Sequence, residues 1–151
     1  MNTKTLLLTA ALLTVTQTPA QSGDVTVHFN QIEAYYFNGT TDKNLTDNNR
    51  CRSMYTASPI EKPMTFHYDI NPATSYQTGH ALYDSKAVTM YPEGIKNNYA
   101  FMSDDVSSLS DLHILRITTS IDTRFQHIIS HIMMNGGTNF NCVISGSNNL
   151  P

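Results

Sequence analysis

The sequence predicts an α+β fold: one domain of mostly antiparallel curved sheet or small barrel, with one amphipathic helix near the C-terminus. Three observations lead to this prediction. Short segments in which apolar and polar residues alternate recur along the chain, as in half-buried strands. One later segment, residues 120–132, has apolar residues at helical spacing. No internal repeat or block of like charges divides the chain into modules. A barrel and an open curved sheet are both compatible with this pattern.

The predicted helix is defined by the spacing of its apolar residues. Positions i, i+4, i+7, i+8 and i+11 fall on one side of a 3.6-residue helix, and they are occupied by Ile121, Phe125, Ile128, Ile129 and Ile132. Ser120 or Asp122 can cap the start of this helix. Gly136 and Gly137 can end it, because glycine takes the left-handed conformation at low cost. Residues 140–144 are β-branched and aromatic and are predicted to continue as a strand.

The clearest strand pattern lies at residues 64–70, where Met64, Phe66 and Tyr68 alternate with polar residues. Residues 40–50 are predicted to form a polar loop, and the tail after Gly146 is predicted to fray. Shorter segments of the same alternating kind predict further strands at residues 24–29, 32–37, 81–83, 87–91, 99–102 and 112–118.

Residues 1–20 are predicted to be a signal peptide. Lys4 precedes an apolar run at residues 6–15, and the small residues Thr18 and Ala20 suit cleavage before Gln21. The run is shorter than the roughly twenty residues that a membrane span needs, so no membrane span is predicted. The remaining residues, 21–151, are expected to form one secreted or periplasmic β-rich domain.

The charge pattern argues against a nucleic-acid partner. Loss of Lys4 with the leader takes the formal net charge from −3 to −4, and the remaining basic residues are scattered along the chain. Nucleic-acid-binding domains instead cluster Lys and Arg on one face.

The two cysteines, Cys51 and Cys142, predict one disulfide, because their number is even and the expected compartment is oxidising. The alternative is a pair of free buried thiols.

A binding surface is predicted around two adjacent tyrosines. Tyr35 and Tyr36 must point to opposite sides of a strand, so at least one can be exposed beside Asn38 and Asp42. An aromatic plane next to amides and carboxylates suits a sugar ring or a protein partner. The alternative is that both tyrosines are structural sheet residues. Asn38 and Asn44 also begin glycosylation sequons.

A histidine acid/base centre is the main catalytic alternative. His67 and Asp69 lie on one face of the clearest strand, and Arg116 could bind a phosphate, which together are the residue types of a small ribonuclease-like hydrolase. Polar pairs on a sheet face are, however, commonly structural. Serine-hydrolase elbows, phosphate-binding glycine loops and paired-cysteine redox motifs are missing from the sequence.

A metal site is a weaker possibility. His127 and His131 are four residues apart on the predicted helix and could share an ion, but Ile128 occupies the position of the metalloprotease Glu, and no third ligand is evident. A solvated helix face is the alternative, and no cofactor is predicted. The sequence therefore favours a non-enzymatic binding protein that recognises a protein or a glycan over a small hydrolase, and it leaves the oligomeric state open.

Overall fold

The computed structural model describes residues 19–36, 45–55, 62–94, 98–104 and 114–151. Within these ranges the chain forms nine strands and one helix. In chain order they are β1 (Gln21–Val27), β2 (Phe29–Tyr36), α1 (Leu45–Tyr55), β3 (Met64–Asn71), β4 (Tyr76–Tyr83), β5 (Lys86–Gly94), β6 (Tyr99–Ser103), β7 (Ile114–Asp122), β8 (His127–Asn135) and β9 (Phe140–Asn149).

The nine strands form one antiparallel sheet in the order β1-β3-β4-β5-β6-β7-β8-β9-β2. The two strands at the ends of this order, β1 and β2, are consecutive in the chain and are separated by His28 alone. The sheet must therefore curve until its ends approach each other, and it forms a half-barrel in which β1 also contacts β9. The side-chain amide of Asn148 donates a hydrogen bond to the Thr26 carbonyl across this approach, at 2.7 Å.

The inner face of the half-barrel is the hydrophobic core. Inward-facing side chains of β3 are fully or almost fully buried, and the rings of Phe66 and Phe101 pack with their centroids 5.2 Å apart. Thr119 and Ser130 are also buried, and their hydroxyls bond to each other at 3.0 Å, which satisfies both polar groups inside the core.

The C-terminal tail belongs to this core, because β9 extends to Asn149 and Leu150 is buried. The prediction of a frayed tail is therefore wrong.

The predicted amphipathic helix near the C-terminus is also wrong. Residues 120–132 form the end of β7, a turn and the start of β8. Ile121 and Ile128 face each other across this hairpin and are buried, whereas Phe125 is 75% exposed at the turn and Ile129 is 40% exposed on the outer face. Asp122 caps the turn and not a helix, since its carboxylate accepts hydrogen bonds from the amides of the two residues at the turn, Arg124 and Phe125.

A helix and a β-hairpin can both produce this spacing of apolar residues. A hairpin that pairs residues 121 and 128 buries them on one face, as a helix would bury residues seven apart. The strand outcome has a physical reason: the segment is rich in isoleucine, whose β-branched side chain favours a pleated surface over a helix.

The helix that the described part of the chain does contain is α1, in a segment predicted as a polar loop. Its side chains attach it to β2: the Asn48 carboxamide accepts a hydrogen bond from the Ala34 amide at 2.6 Å, and the Tyr36 hydroxyl bonds to Asp47. The helix thus covers the edge of β2 that does not pair with β9. Covering an exposed strand edge in this way protects it from pairing with another chain.

A disulfide fixes the other side of α1. Cys51 is bonded to Cys142 on β9, with 5.5 Å between the Cα atoms, and both residues are fully buried. The predicted disulfide is therefore confirmed. The hydroxyl of Tyr55, in the last turn of α1, donates to the carbonyl of Asn135 at the end of β8.

Two neighbouring isoleucines provide a test of the hairpin. Replacing Ile128 with Ala should lower the free energy of unfolding by about 3 kcal/mol, because it opens a cavity beneath the sheet. Replacing Ile129 should cost less than about 1 kcal/mol, because its side chain is already partly in water. Urea denaturation of the two variants measures the difference, and equal losses would contradict the hairpin, since a helix with the predicted apolar stripe would bury both residues.

Candidate functional site

The main candidate site is a cleft on the outer face of the sheet, with a volume of about 250 Å³. We call it the Tyr35 cleft. It crosses four neighbouring strands in the order β7, β8, β9 and β2. Its lining residues are Thr118, His131, Met133, Val143, Ser145, Glu33 and Tyr35.

Strand register explains how these side chains meet. Thr118 pairs with His131 and His131 with Ser145, so the three form a polar row across β7, β8 and β9. Met133, Val143 and Glu33 form the next row, which is apolar except for the carboxylate at its β2 end. The cleft therefore combines hydroxyls, an imidazole and a carboxylate with a small apolar floor.

The two predicted tyrosines separate as a strand requires. Tyr35 lines the cleft, whereas Tyr36 points to the other side of β2, where it bonds to Asp47 and packs its ring 5.9 Å from Phe140. Tyr36 is therefore a structural contact of α1. The other two residues of the predicted binding surface, Asn38 and Asp42, lie outside the described residues, as does Asn44.

The pKa of the His131 imidazole is shifted in this cleft. Partial withdrawal from water lowers the pKa of His131, although its side chain keeps access to solvent. The neutral form of the ring is therefore favoured. A neutral imidazole can donate one hydrogen bond and accept another, which suits it to a ligand hydroxyl.

A second cluster lies on the outer face of β1, β3 and β4. We call it the histidine row; it consists of Asp24, His67 and His80, which are register partners on adjacent strands. The Asp24 carboxylate is 2.8 Å from Nδ1 of His67. The rings of His67 and His80 stack with centroids 4.7 Å apart and planes inclined by 29°.

The structure separates the residues proposed for catalysis. Asp69 is on the same face of β3 as His67, but the carboxylate in contact with the imidazole is that of Asp24. Arg116 lies on β7, four strands from β3, which corresponds to about 19 Å along the sheet. Its register partner is Met133, so Arg116 is beside the Tyr35 cleft and not beside His67.

Sequence reasoning missed Asp24, although a signal was present. Asp24 is two residues before Thr26 in the predicted strand 24–29, so alternation puts both on the polar face of that strand. The pairing of β1 with β3 could not be read from that alternation, and this pairing is what brings the carboxylate to His67.

The metal site considered for His127 and His131 assumed that both residues lie on a helix, and the structure places them on a strand. Both residues are on β8, where four residues span about 13 Å, and one ion cannot bridge that distance. Among the described residues, no group of three or more His, Cys, Asp or Glu side chains is arranged to hold a metal ion.

A larger depression of about 380 Å³ borders the β7–β8 turn, where Phe125, His127 and Ile129 contribute to its wall. It is more open to solvent than the Tyr35 cleft. The guanidinium of Arg124 lies 5.4 Å from the centre of the Phe125 ring and is also bonded to Asp122, which lowers the pKa of that carboxyl. The Arg124 guanidinium thus makes its contacts within the turn. We regard the Tyr35 cleft as the better candidate site, because it would enclose a ligand more fully than this open depression.

Within the part of the chain that the structure describes, no helix is long and apolar enough to cross a membrane. Comparison with protein families, with curated proteins and with solved structures found no match to this chain.

Proposed function

We propose that this protein is a secreted or periplasmic, non-enzymatic binding protein and that its Tyr35 cleft receives a glycan. The observation that carries the proposal is the combination of a half-buried aromatic ring with hydrogen-bonding groups in one cleft. A sugar ring has an apolar face, which packs on an aromatic plane, and a rim of hydroxyls, which needs donors and acceptors around it.

The side chains of the cleft meet both requirements. Thr118, His131 and Ser145 supply neutral groups that can donate and accept, and Glu33 supplies a strong acceptor at the opposite side. Tyr35 supplies the stacking surface. The volume of about 250 Å³ suits a single sugar ring and is below the usual range for small-molecule sites, about 300 to 1,000 Å³.

Location outside the cytoplasm is part of the proposal. The disulfide is compatible with an oxidising compartment, and residues 1–20 have the pattern of an export signal. A mildly acidic surface with scattered basic residues also fits a neutral glycan better than a polyanion.

The test is a glycan screen followed by calorimetric titration of the best ligand. Tyr35→Ala should weaken binding by about tenfold or more, equivalent to about 1.4 kcal/mol, because it removes the stacking plane. Tyr91→Ala is the matched control: Tyr91 is a strand tyrosine on β5, 50% exposed and outside the cleft, so its loss should leave affinity unchanged. A screen in which no glycan binds, or in which both variants bind as the unmodified protein does, contradicts the assignment.

A small hydrolase that uses His67 is the second candidate, and the contact with Asp24 favours it. A carboxylate on one ring nitrogen fixes the tautomer and orients the other nitrogen as a base. The distance to Arg116 weakens the phosphodiesterase version, because the cation is not beside the base. Hydrolysis that is abolished by His67→Ala in a folded protein would favour this candidate over the binding protein.

A further inference from the structure

We propose that His67 and His80 form a two-histidine chelate for a divalent transition-metal ion, with Asp24 as the outer carboxylate that orients His67. The site is on β1, β3 and β4, away from the Tyr35 cleft on β2, β7, β8 and β9. It is independent of the proposed glycan binding.

Strand register places the two histidines side by side. His67 and His80 are directly opposite each other on neighbouring antiparallel strands, where Cβ atoms lie about 5 Å apart. Both side chains are on the outer face, and the side chain of His67 is 40% exposed, so an aqueous ion can reach it. The sheet therefore holds two imidazoles at backbone positions from which both side chains can reach one ion.

The contact between Asp24 and His67 resembles the outer contact of a metal-binding histidine. A carboxylate can only accept a hydrogen bond, so in the neutral tautomer that fits this contact Nδ1 of His67 is the donor and Nε2 holds the lone pair. Metal-binding histidines typically donate their second ring nitrogen to a carboxylate in this way, which fixes the ring and makes the ligating nitrogen more basic. Without an ion, the contact is a partly exposed pair that contributes little to stability.

Chelation requires a movement of the two imidazole rings. Metal–nitrogen bonds of about 2.0 to 2.1 Å place two ligating nitrogens roughly 3 to 3.5 Å apart. The ring centroids are 4.7 Å apart and the planes are already inclined by 29°. In this stacked arrangement the in-plane lone pairs run side by side, so chelation requires the imidazoles to rotate about their side-chain bonds until both lone pairs point at one ion, while the strands stay in place.

The chemistry of the site selects the class of ion. Imidazole suits copper, zinc and nickel, and among these Cu²⁺ binds a given nitrogen site most tightly. Since no group of three or more His, Cys, Asp or Glu side chains in the described ranges is arranged to hold an ion, water would fill the remaining positions. The site is thus an open one.

The experiment is a Cu²⁺ titration of the mature, disulfide-bonded protein, followed by calorimetry and electron paramagnetic resonance. We expect one saturable site whose spectrum shows two nitrogen ligands. His67→Ala and His80→Ala should each abolish this two-nitrogen site, and Asp24→Asn should weaken it by about 10- to 100-fold. Circular dichroism checks that each variant is folded, and His67→Gln and His80→Gln provide milder second substitutions.

The matched control is the pair His127 and His131, which are four residues apart on one strand and too distant to share an ion. The double variant His127→Ala, His131→Ala should bind Cu²⁺ as the unmodified protein does. Equal binding by every variant, or loss of binding in the His127/His131 variant, would overturn the proposal.

Discussion

Removal of the Cys51–Cys142 disulfide is expected to lower the free energy of unfolding by about 4.6 kcal/mol, the largest single effect that the structure implies. The bond joins residues 91 positions apart, and the chain-entropy relation gives this value for a loop of that length. The loss is comparable to the net stability of many domains of this size. Guanidinium denaturation of a Cys51→Ala, Cys142→Ala protein measures it.

The structure also indicates which elements should be destabilised most when the disulfide is removed. Besides the disulfide, α1 is attached to the sheet by a few polar contacts, such as those of Asn48 and Asp47. Amide hydrogen exchange in α1 and in β2 should therefore accelerate more than exchange in β3 and β4. Chemically reduced protein is the control, because it breaks the same bond without changing any residue. A loss below about 1 kcal/mol in both samples would contradict the prediction.

Replacement of Gly146 with Ala is expected to cost about 3 kcal/mol or more. An added Cβ at this position would lie 2.3 Å from the carbonyl oxygen of His28 and 2.8 Å from its carbon. Both atoms belong to the backbone at the point where β1 passes into β2, so no side-chain rotation can relieve the overlap. The fold must separate two strands that close the half-barrel, and urea denaturation should show the loss.

Gly23→Ala is the matched control, since it adds the same methyl group to another strand of the sheet. Its nearest neighbour would be the hydroxyl of Tyr68 at 3.3 Å, a side-chain atom that can move by a few tenths of an ångström. We expect a change of less than about 1 kcal/mol. Similar losses of unfolding free energy in the two variants would contradict the prediction that the close contact with the His28 backbone requires glycine at position 146.

The strands were predictable where polar and apolar residues alternate. The clearest case is residues 64–70, which became β3 with its apolar side chains buried. Parity also predicted that Tyr35 and Tyr36 face opposite sides of one strand. These features are local, because a pleated strand sends successive side chains to opposite faces whatever its partners are.

The two helix assignments failed for different reasons. For residues 120–132, apolar spacing alone does not distinguish a helix from a hairpin whose strands pair at Ile121 and Ile128. For α1, the reverse holds: the segment has almost no apolar stripe, and contacts with β2 and β9 stabilise it. Tertiary packing supplies most helix stability, so a short polar helix of this kind gives little signal in its own sequence.

The candidate sites depended on pairing between distant strands. His67 was singled out from its residue type, but its partners Asp24 and His80 became neighbours only when β1 and β4 paired with β3. In the same way, β9 had to lie between β8 and β2 before His131 could share a cleft with Glu33. Residues far apart in the chain therefore formed sites that no local pattern describes.

The sequence by itself determined which residues of most strands face inward, because side-chain alternation is a property of the chain alone, and its even cysteine count predicted the disulfide. The tertiary structure decided the order of the nine strands, the position of the helix and the composition of both sites. The physical reason is that strand pairing is set by backbone hydrogen bonds and by burial against partners distant in sequence, which any single segment can satisfy in several ways.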